Sequence, residues 1–137
     1  MDGVADIRTG APVTPDTPFY IASMTKAYVG LMAETLDRRG VFDIDQSMAD
    51  VWPDLRMRGV DPTQVTFRQL LTHQGPFTAD VLSTRTAYID EPTPEDIPGL
   101  LARAEPRAPG FDYQNTGYLL YGAALQAKTG KHWRAWL

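Results

Sequence analysis

One apolar segment constrains the fold of this chain more than any other. From Ile21 to Ala33, Lys26 is the only charged residue. Apolar side chains follow Ser23 with helical spacing, and the segment ends at Arg38-Arg39-Gly40, where basic residues and a glycine indicate a helix C-terminus. A helix that is apolar nearly all round must be covered on every side. The sequence therefore predicts a central helix around which the rest of the chain packs.

The first turn of this helix holds a candidate chemical group. Residues three apart lie on one helix face, so the Lys26 amine is expected beside the Ser23 hydroxyl. The free N–H groups and the positive dipole end of the helix stabilise negative charge that forms next to Ser23. A nucleophile, a nearby amine and a donor for an oxyanion together suit acyl transfer.

The alternative is an ordinary helix start, in which Ser23 caps the helix and Lys26 is solvated. The setting of Lys26 weakens this alternative. The chain contains three lysines, and this one lies among apolar side chains. Partial loss of water favours the neutral amine, which is the form that can accept a proton.

Composition and length exclude several classes of protein and of site. A length of 137 residues predicts one domain, and the net charge of −4 without a Lys/Arg cluster argues against nucleic acid. The absence of cysteine excludes disulfides and thiol metal sites. No apolar run is long enough for a membrane span, and Met1-Asp2-Gly3 does not begin a signal peptide. The compartment is left open.

Local signals predict three further helices, and a fourth segment lacks such signals. Thr66 to Gln69 has the form of a capping box, and it predicts a short helix over 67–73 that ends before Gly75-Pro76. Asp45 is expected to cap a brief helix that ends by Trp52. Thr93-Pro94 predicts a helix start, with the helix continuing to about residue 104. Residues 80–91 are weakly patterned, and we expect a mobile segment there.

The second informative stretch is Tyr113-Gln114-Asn115. A helical pattern follows it as far as Gly130, so Asn115 or the next residue is expected to cap that helix, and Tyr113 to lie in the loop before it. A phenol next to an ammonium can shuttle a proton. The alternative is that Tyr113 only packs and Asn115 only caps.

The two histidines are weaker candidates. His73 is a possible base, but a hydrogen-bonded structural histidine is the preferred interpretation. His132 is a still weaker candidate.

Ser23-Met24-Thr25-Lys26 together with Tyr113-Gln114-Asn115 resembles the serine β-lactamase and penicillin-binding-protein superfamily, and within it the class C β-lactamase, DD-peptidase and esterase-like branch. The segments 13–17, 67–74 and 115–120 are similar to that branch as well, in the same order. The resemblance implies that this mainly α chain is the helical region of the α+β β-lactamase-like fold.

The resemblance also implies roles for individual residues. Ser23 would be the acylated nucleophile and Lys26 its activating partner. Tyr113 would relay a proton to and from the nucleophile or the leaving group, and Asn115 would hydrogen-bond the substrate. The Ser23 backbone N–H would supply half of the oxyanion hole. No metal or organic cofactor is implied.

Two positions depart from the family pattern. Gly75-Pro76 stands where the branch has Ser-Gly after the histidine, so that loop is expected to differ. The third motif of the family, Lys/His-Thr/Ser-Gly on a strand, is matched in letters by Lys128-Thr129-Gly130. That tripeptide is expected instead to end the helix after Asn115. We therefore expect residues 1–137 to form a single, incomplete domain without the C-terminal sheet strands.

The functional expectation is a serine hydrolase that acts on a small ester, amide or β-lactam through an acyl-enzyme. The alternative is a catalytically silent module of the same fold that binds a ligand or a partner chain. A Ser-His-Asp hydrolase is disfavoured because Ser23 lacks the Gly-x-Ser-x-Gly elbow. An apolar helix without its sheet further predicts a homo-oligomer or a complementing C-terminal chain.

Overall fold

The computed structural model describes residues 2–137, which form a helical body with two small two-stranded sheets. The α-helices are α1 (Thr25–Arg38), α2 (Met48–Val51), α3 (Phe67–Leu71), α4 (Asp80–Tyr88), α5 (Ile97–Leu101) and α6 (Thr116–Thr129). The strands are β1 (Val4–Asp6), β2 (Ala11–Pro12), β3 (Phe77–Thr78) and β4 (Glu105–Pro106). Both β1 with β2 and β3 with β4 pair antiparallel. Short 3₁₀ turns span Ala22–Met24, Pro62–Gln64 and Trp133–Ala135.

The central helix is covered on one face. Its buried side chains recur with a helical period along that face: Val29, Met32, Ala33 and Leu36. On the other side, Tyr28 is 57% and Leu31 68% exposed. Within residues 2–137 the packed elements contact one side of this helix only, which leaves the apolar side chains on its other side uncovered.

An aromatic cluster holds the core together. Phe42 packs edge-on against Phe67 and Tyr121, with ring centroids 5.1 and 5.2 Å apart. Such edge-to-face pairs stabilise by about 0.5–1.5 kcal/mol beyond the area they bury. The cluster joins the loop after α1 to α3 and α6.

The close approach of α3 to α6 depends on a glycine. Gly117 lies against the backbone of Leu70, and a Cβ atom on Gly117 would overlap the Leu70 carbonyl. The absence of a side chain therefore allows the first turn of α6 to contact α3 directly. This contact fixes the position of residues 113–115, which precede α6.

The start of α2 differs from the prediction. Ser47, not Asp45, begins this helix, because the Ser47 N–H donates to the Asp50 carboxylate at 2.7 Å in a capping box. Asp45 instead accepts from Arg68, with Nε and Oδ1 2.6 Å apart. The predicted cap is wrong because a partner distant in sequence takes that carboxylate.

Two segments between α3 and α6 differ from their sequence patterns. The weakly patterned residues 80–91 contain α4, and the fully buried Leu82 anchors this helix to the core. The mobility expected of this segment stays a prediction. The helix expected from Thr93 begins only at Ile97. The Thr93 N–H donates to the Asp96 carboxylate at 2.9 Å and closes a loop before the helix instead.

The end of α6 confirms one interpretation. Gly130 has a left-handed φ of 69° and ends the helix, so Lys128-Thr129-Gly130 is a helix terminus and not a strand.

Among residues 2–137, no helix combines the length and the apolar character that crossing a membrane requires.

Candidate active site

Ser23 lies in a strained turn that leads directly into α1. Ala22, the residue before it, has a φ of 47°, a left-handed conformation that costs an L-residue about 1–2 kcal/mol. The turn Ala22–Met24 and the first residue of α1 receive no side-chain capping bond. The Ser23 hydroxyl is therefore exposed and is not used as a helix cap.

The Ser23 backbone N–H is also available. Within the described chain, residues 2–137, no protein group accepts a hydrogen bond from it. It lies at the N-terminal end of the α1 dipole, where partial positive charge accumulates. This N–H can therefore donate to an atom that becomes negatively charged beside Ser23.

Lys26 joins the two sequence motifs. Its Nζ donates to Ser23 Oγ at 2.9 Å and to Asn115 Oδ1 at 2.7 Å. Asn115 is at the N-cap position of α6, yet its side chain makes no capping bond because its oxygen is bound to Lys26. The alternative that Asn115 only caps α6 does not hold.

Tyr113 completes this group from the loop before α6. Lys26 Nζ lies 5.0 Å from the centroid of the Tyr113 ring. Hydrogen bonding from Ser23, followed by that from Lys26, lowers the pKa of the Tyr113 phenol below its usual value. Tyr113 thus lies next to two donors that favour its phenolate form.

His73, in the turn after α3, supports the loop that carries Tyr113. Its Nδ1 accepts from the Gln114 N–H at 3.2 Å, and its carbonyl accepts from the Asp112 N–H at 2.9 Å. This arrangement matches the preferred interpretation of His73 as a hydrogen-bonded histidine. His132 pairs with Glu91 at 2.9 Å and takes no part in the group around Ser23.

Sequence reasoning missed Arg107. Its guanidinium donates to the carbonyls of Gly75 and Gly110, at 2.9 and 3.2 Å, and pairs with Asp112 at 3.6 Å. Arg107 therefore ties the loop after α3 to the loop before α6. The stretch around it, Pro106 to Gly110, has no periodicity, and so the sequence offered no signal for this role.

A cavity of about 410 Å³ begins at Ser23, Lys26 and Asn115 and extends between α1, α4 and α6. Its walls are mainly apolar and include Val29, Leu82, Ile97, Leu119 and Ala123. Such a space suits a small molecule with an apolar part better than a highly charged one. In the part of the chain that the structure describes, no three His, Asp or Glu side chains cluster as a metal site requires.

Comparison with known proteins identifies the family of this chain. The family model described as Beta-lactamase matches residues 2–137, and the chain belongs to this family. Esterase EstB of Burkholderia gladioli is 38% identical over 73 residues, which are 52% of this chain and 19% of the esterase. Penicillin-binding protein 4 of Amycolatopsis lactamdurans is 28% identical over 96% of this chain and 35% of its own length.

The solved structures agree with the helical fold. D-amino acid amidase from Ochrobactrum anthropi SV3 superposes with a TM-score of 0.75 and 28% identity, over 98% of this chain and 37% of the amidase. The chain therefore has the helical region of the β-lactamase-like fold. It spans little more than a third of the length of this amidase and of Penicillin-binding protein 4.

Proposed function

We propose that this chain carries the nucleophile of a serine hydrolase that acts on a small ester, amide or β-lactam through an acyl-enzyme. The observation that supports this best is the position of Lys26 Nζ, 2.9 Å from Ser23 Oγ and 2.7 Å from Asn115 Oδ1. Asn115 Oδ1 can only accept, so it holds one N–H of the amine and turns the rest of the amine towards Ser23.

Acylation follows from this geometry. The neutral Lys26 amine takes the Ser23 proton while Oγ forms a bond to the substrate carbonyl carbon. The carbonyl oxygen becomes an oxyanion, which the Ser23 N–H stabilises; one such donor contributes about 3 kcal/mol in comparable sites. When the bond to the leaving group breaks, Tyr113 delivers the proton that the leaving amine or alkoxide needs.

Deacylation uses the same groups in reverse. Water adds to the acyl carbon and loses a proton through Tyr113 or Lys26, and the Ser23–acyl bond then breaks, with the proton returning to Oγ. The cavity beside Ser23 accommodates the apolar part of the acyl group. No metal or organic cofactor takes part in either step.

A second candidate, a catalytically silent module that binds a partner chain, rests on one observation. The uncovered side of α1 carries Met24, Tyr28 and Leu31, each more than half exposed. Apolar side chains grouped on one helix face are typical of a surface that another chain covers. Self-association, or binding of a C-terminal segment that completes the domain, stays a prediction for this face.

Intact mass after exposure to a fluorophosphonate, and separately to a β-lactam, tests the proposal. We expect one equivalent of adduct on the parent chain and none on Ser23→Ala. Ser83→Ala is the matched control, because Ser83 lines the same cavity but hydrogen-bonds Thr116. Equal labelling of the parent and Ser23→Ala would refute the proposal and leave the silent module as the better candidate.

A further inference from the structure

His73 is held near Tyr113 by both its backbone and its side chain. It has a φ of 61°, a left-handed conformation that non-glycine residues adopt at a cost. Its ring centroid lies 4.5 Å from that of Tyr113 and 5.5 Å from that of Tyr118. Its backbone and its side chain both bind the loop at 112–114. A histidine held in this way restricts where Tyr113 can lie.

The hydrogen bond to Gln114 fixes the chemical form of His73. A backbone N–H can only donate, so Nδ1 must carry a lone pair and the imidazole proton must be on Nε2. A protonated ring carries a hydrogen on both nitrogens and loses this bond. The same bond occupies the Nδ1 lone pair, so that nitrogen cannot accept a proton from Ser23.

We propose that His73, as the neutral imidazole, is a positioning residue that holds Tyr113 against Ser23 and Lys26 through the Gln114 N–H and the stacked ring. The inference rests on the proposed role of Tyr113 in proton transfer. It adds a residue from the turn after α3, 40 positions before Tyr113, to the proposed machinery around Ser23.

Burial and the charge of Lys26 favour the neutral form of His73, and the carboxylate of Asp112 opposes them. Lys26 faces it from α1, Asp112 and Tyr113 from the loop, and Tyr118 from α6, while Arg107 pairs with Asp112. Burial, followed by the charge of Lys26, lowers the pKa of His73. Because the folded pKa lies below the unfolded value, the neutral ring is stable at neutral pH. The Gln114 bond is lost as pH falls through the folded pKa.

Two variants separate the acceptor from the backbone strain. His73→Asn keeps an acceptor, since Oδ1 can occupy the place of Nδ1, and asparagine tolerates a left-handed φ. His73→Gly tolerates that φ as well but removes both the acceptor and the ring. His132→Asn is the matched control, because the other histidine makes no contact with the group around Ser23.

The first measurement does not depend on reactivity. Tyrosine labelled with ¹³C at Cζ reports phenol ionisation by NMR, and Tyr113→Phe assigns the resonance of Tyr113. We expect the Tyr113 midpoint below the usual value of about 10 in the parent, in His73→Asn and in His132→Asn. In His73→Gly it should rise to the usual value. An unmoved midpoint in His73→Gly would show that His73 does not position Tyr113.

The second measurement is the rate of Ser23 acylation by a fluorophosphonate as a function of pH. A misplaced catalytic group costs about a hundredfold, which we expect for His73→Gly at neutral pH, with His73→Asn restoring most of the rate. The parent should also lose rate relative to His73→Asn as pH falls through the pKa of His73. If the acylation rates of the parent and of His73→Asn fell in parallel at acid pH, the inference would be contradicted. If the parent is not acylated at all, the proposed function fails, and the NMR titration alone decides the role of His73.

Discussion

Two helix starts in this molecule carry a small hydroxyl side chain and use it in opposite ways. At α3, Thr66 Oγ1 accepts from the Gln69 N–H at 3.2 Å, and the Gln69 side chain accepts from the Thr66 N–H at 2.9 Å. Just before α1, the Ser23 hydroxyl caps nothing and contacts Lys26 instead.

The backbone conformation also differs between the two helix starts. Thr66 has an extended conformation, which is ordinary for a cap, whereas Ala22 before α1 is left-handed. The α3 start uses its hydroxyl to satisfy a backbone N–H, whereas the α1 start is strained, its hydroxyl caps no N–H, and among residues 2–137 no group accepts from the Ser23 N–H. The comparison teaches that α3 uses its hydroxyl for local stability, whereas the start of α1 does not.

The largest effect is expected at Lys26, the proposed activating partner of Ser23. Lys26→Arg keeps the charge but holds its proton at any working pH, so acylation of Ser23 should fall by about 10²–10⁴-fold while the fold persists. Rates of fluorophosphonate labelling measure this. Lys128→Arg, at the end of α6, is the matched control and should react at the parent rate. If Lys26→Arg reacted as fast as the parent, Lys26 would be a solvated bystander.

A second prediction tests the close contact between α3 and α6. Gly117→Ala places a Cβ on the Leu70 carbonyl and should lower the free energy of unfolding by about 1–3 kcal/mol, because α6 must move away from α3. Gly30→Ala in α1 is the control: nothing lies near its added Cβ, and alanine should raise the free energy of unfolding by about 0.5–1 kcal/mol. Urea unfolding measures both. Equal effects at the two glycines would mean that α3 and α6 are not in close contact.

The third prediction addresses the two hydroxyls directly. Thr66→Ala removes a working cap and should cost about 1 kcal/mol of unfolding free energy, without changing the labelling of Ser23. Ser23→Ala removes no cap and should leave the unfolding free energy nearly unchanged while it abolishes labelling. Chemical denaturation of both variants decides this. A comparable loss of stability in Ser23→Ala would show that Ser23 is an ordinary cap.

The smallest effect concerns the strain before Ser23. Ala22→Gly relieves a left-handed alanine but adds chain entropy to the unfolded state, so a gain of about 0.5 kcal/mol in unfolding free energy is expected. Thermal or urea unfolding of the variant against the parent measures the gain. A loss in place of a gain would argue against the left-handed conformation at Ala22.

The sequence predicts best where function and fold depend on residues close together. The Ser23–Lys26 spacing placed the two side chains on one helix face, and Thr66 with Gln69 formed the capping box that their spacing predicted. Both results follow from the helical repeat alone. The membership of the β-lactamase family was also recognisable from motif residues in their local settings.

The sequence predicts poorly where a distant partner decides. Asp45 was assigned to a cap but pairs with Arg68, which is distant in sequence. Arg107 showed no signal, because its three partners lie in loops without periodicity, and one of them, Gly75, is also distant in sequence. At both residues a tertiary contact decides the role of the side chain, and no pattern of spacing reveals such a contact.

The location of the adduct tests the central claim most directly. After reaction with a fluorophosphonate, trypsin should release the peptide from Thr9 to Lys26, and fragmentation by mass spectrometry should place the added mass on Ser23. The account predicts that nearly all adduct is found there. Adduct on Ser47, Ser83 or a tyrosine, with Ser23 unmodified, would contradict the claim that the start of α1 carries the nucleophile.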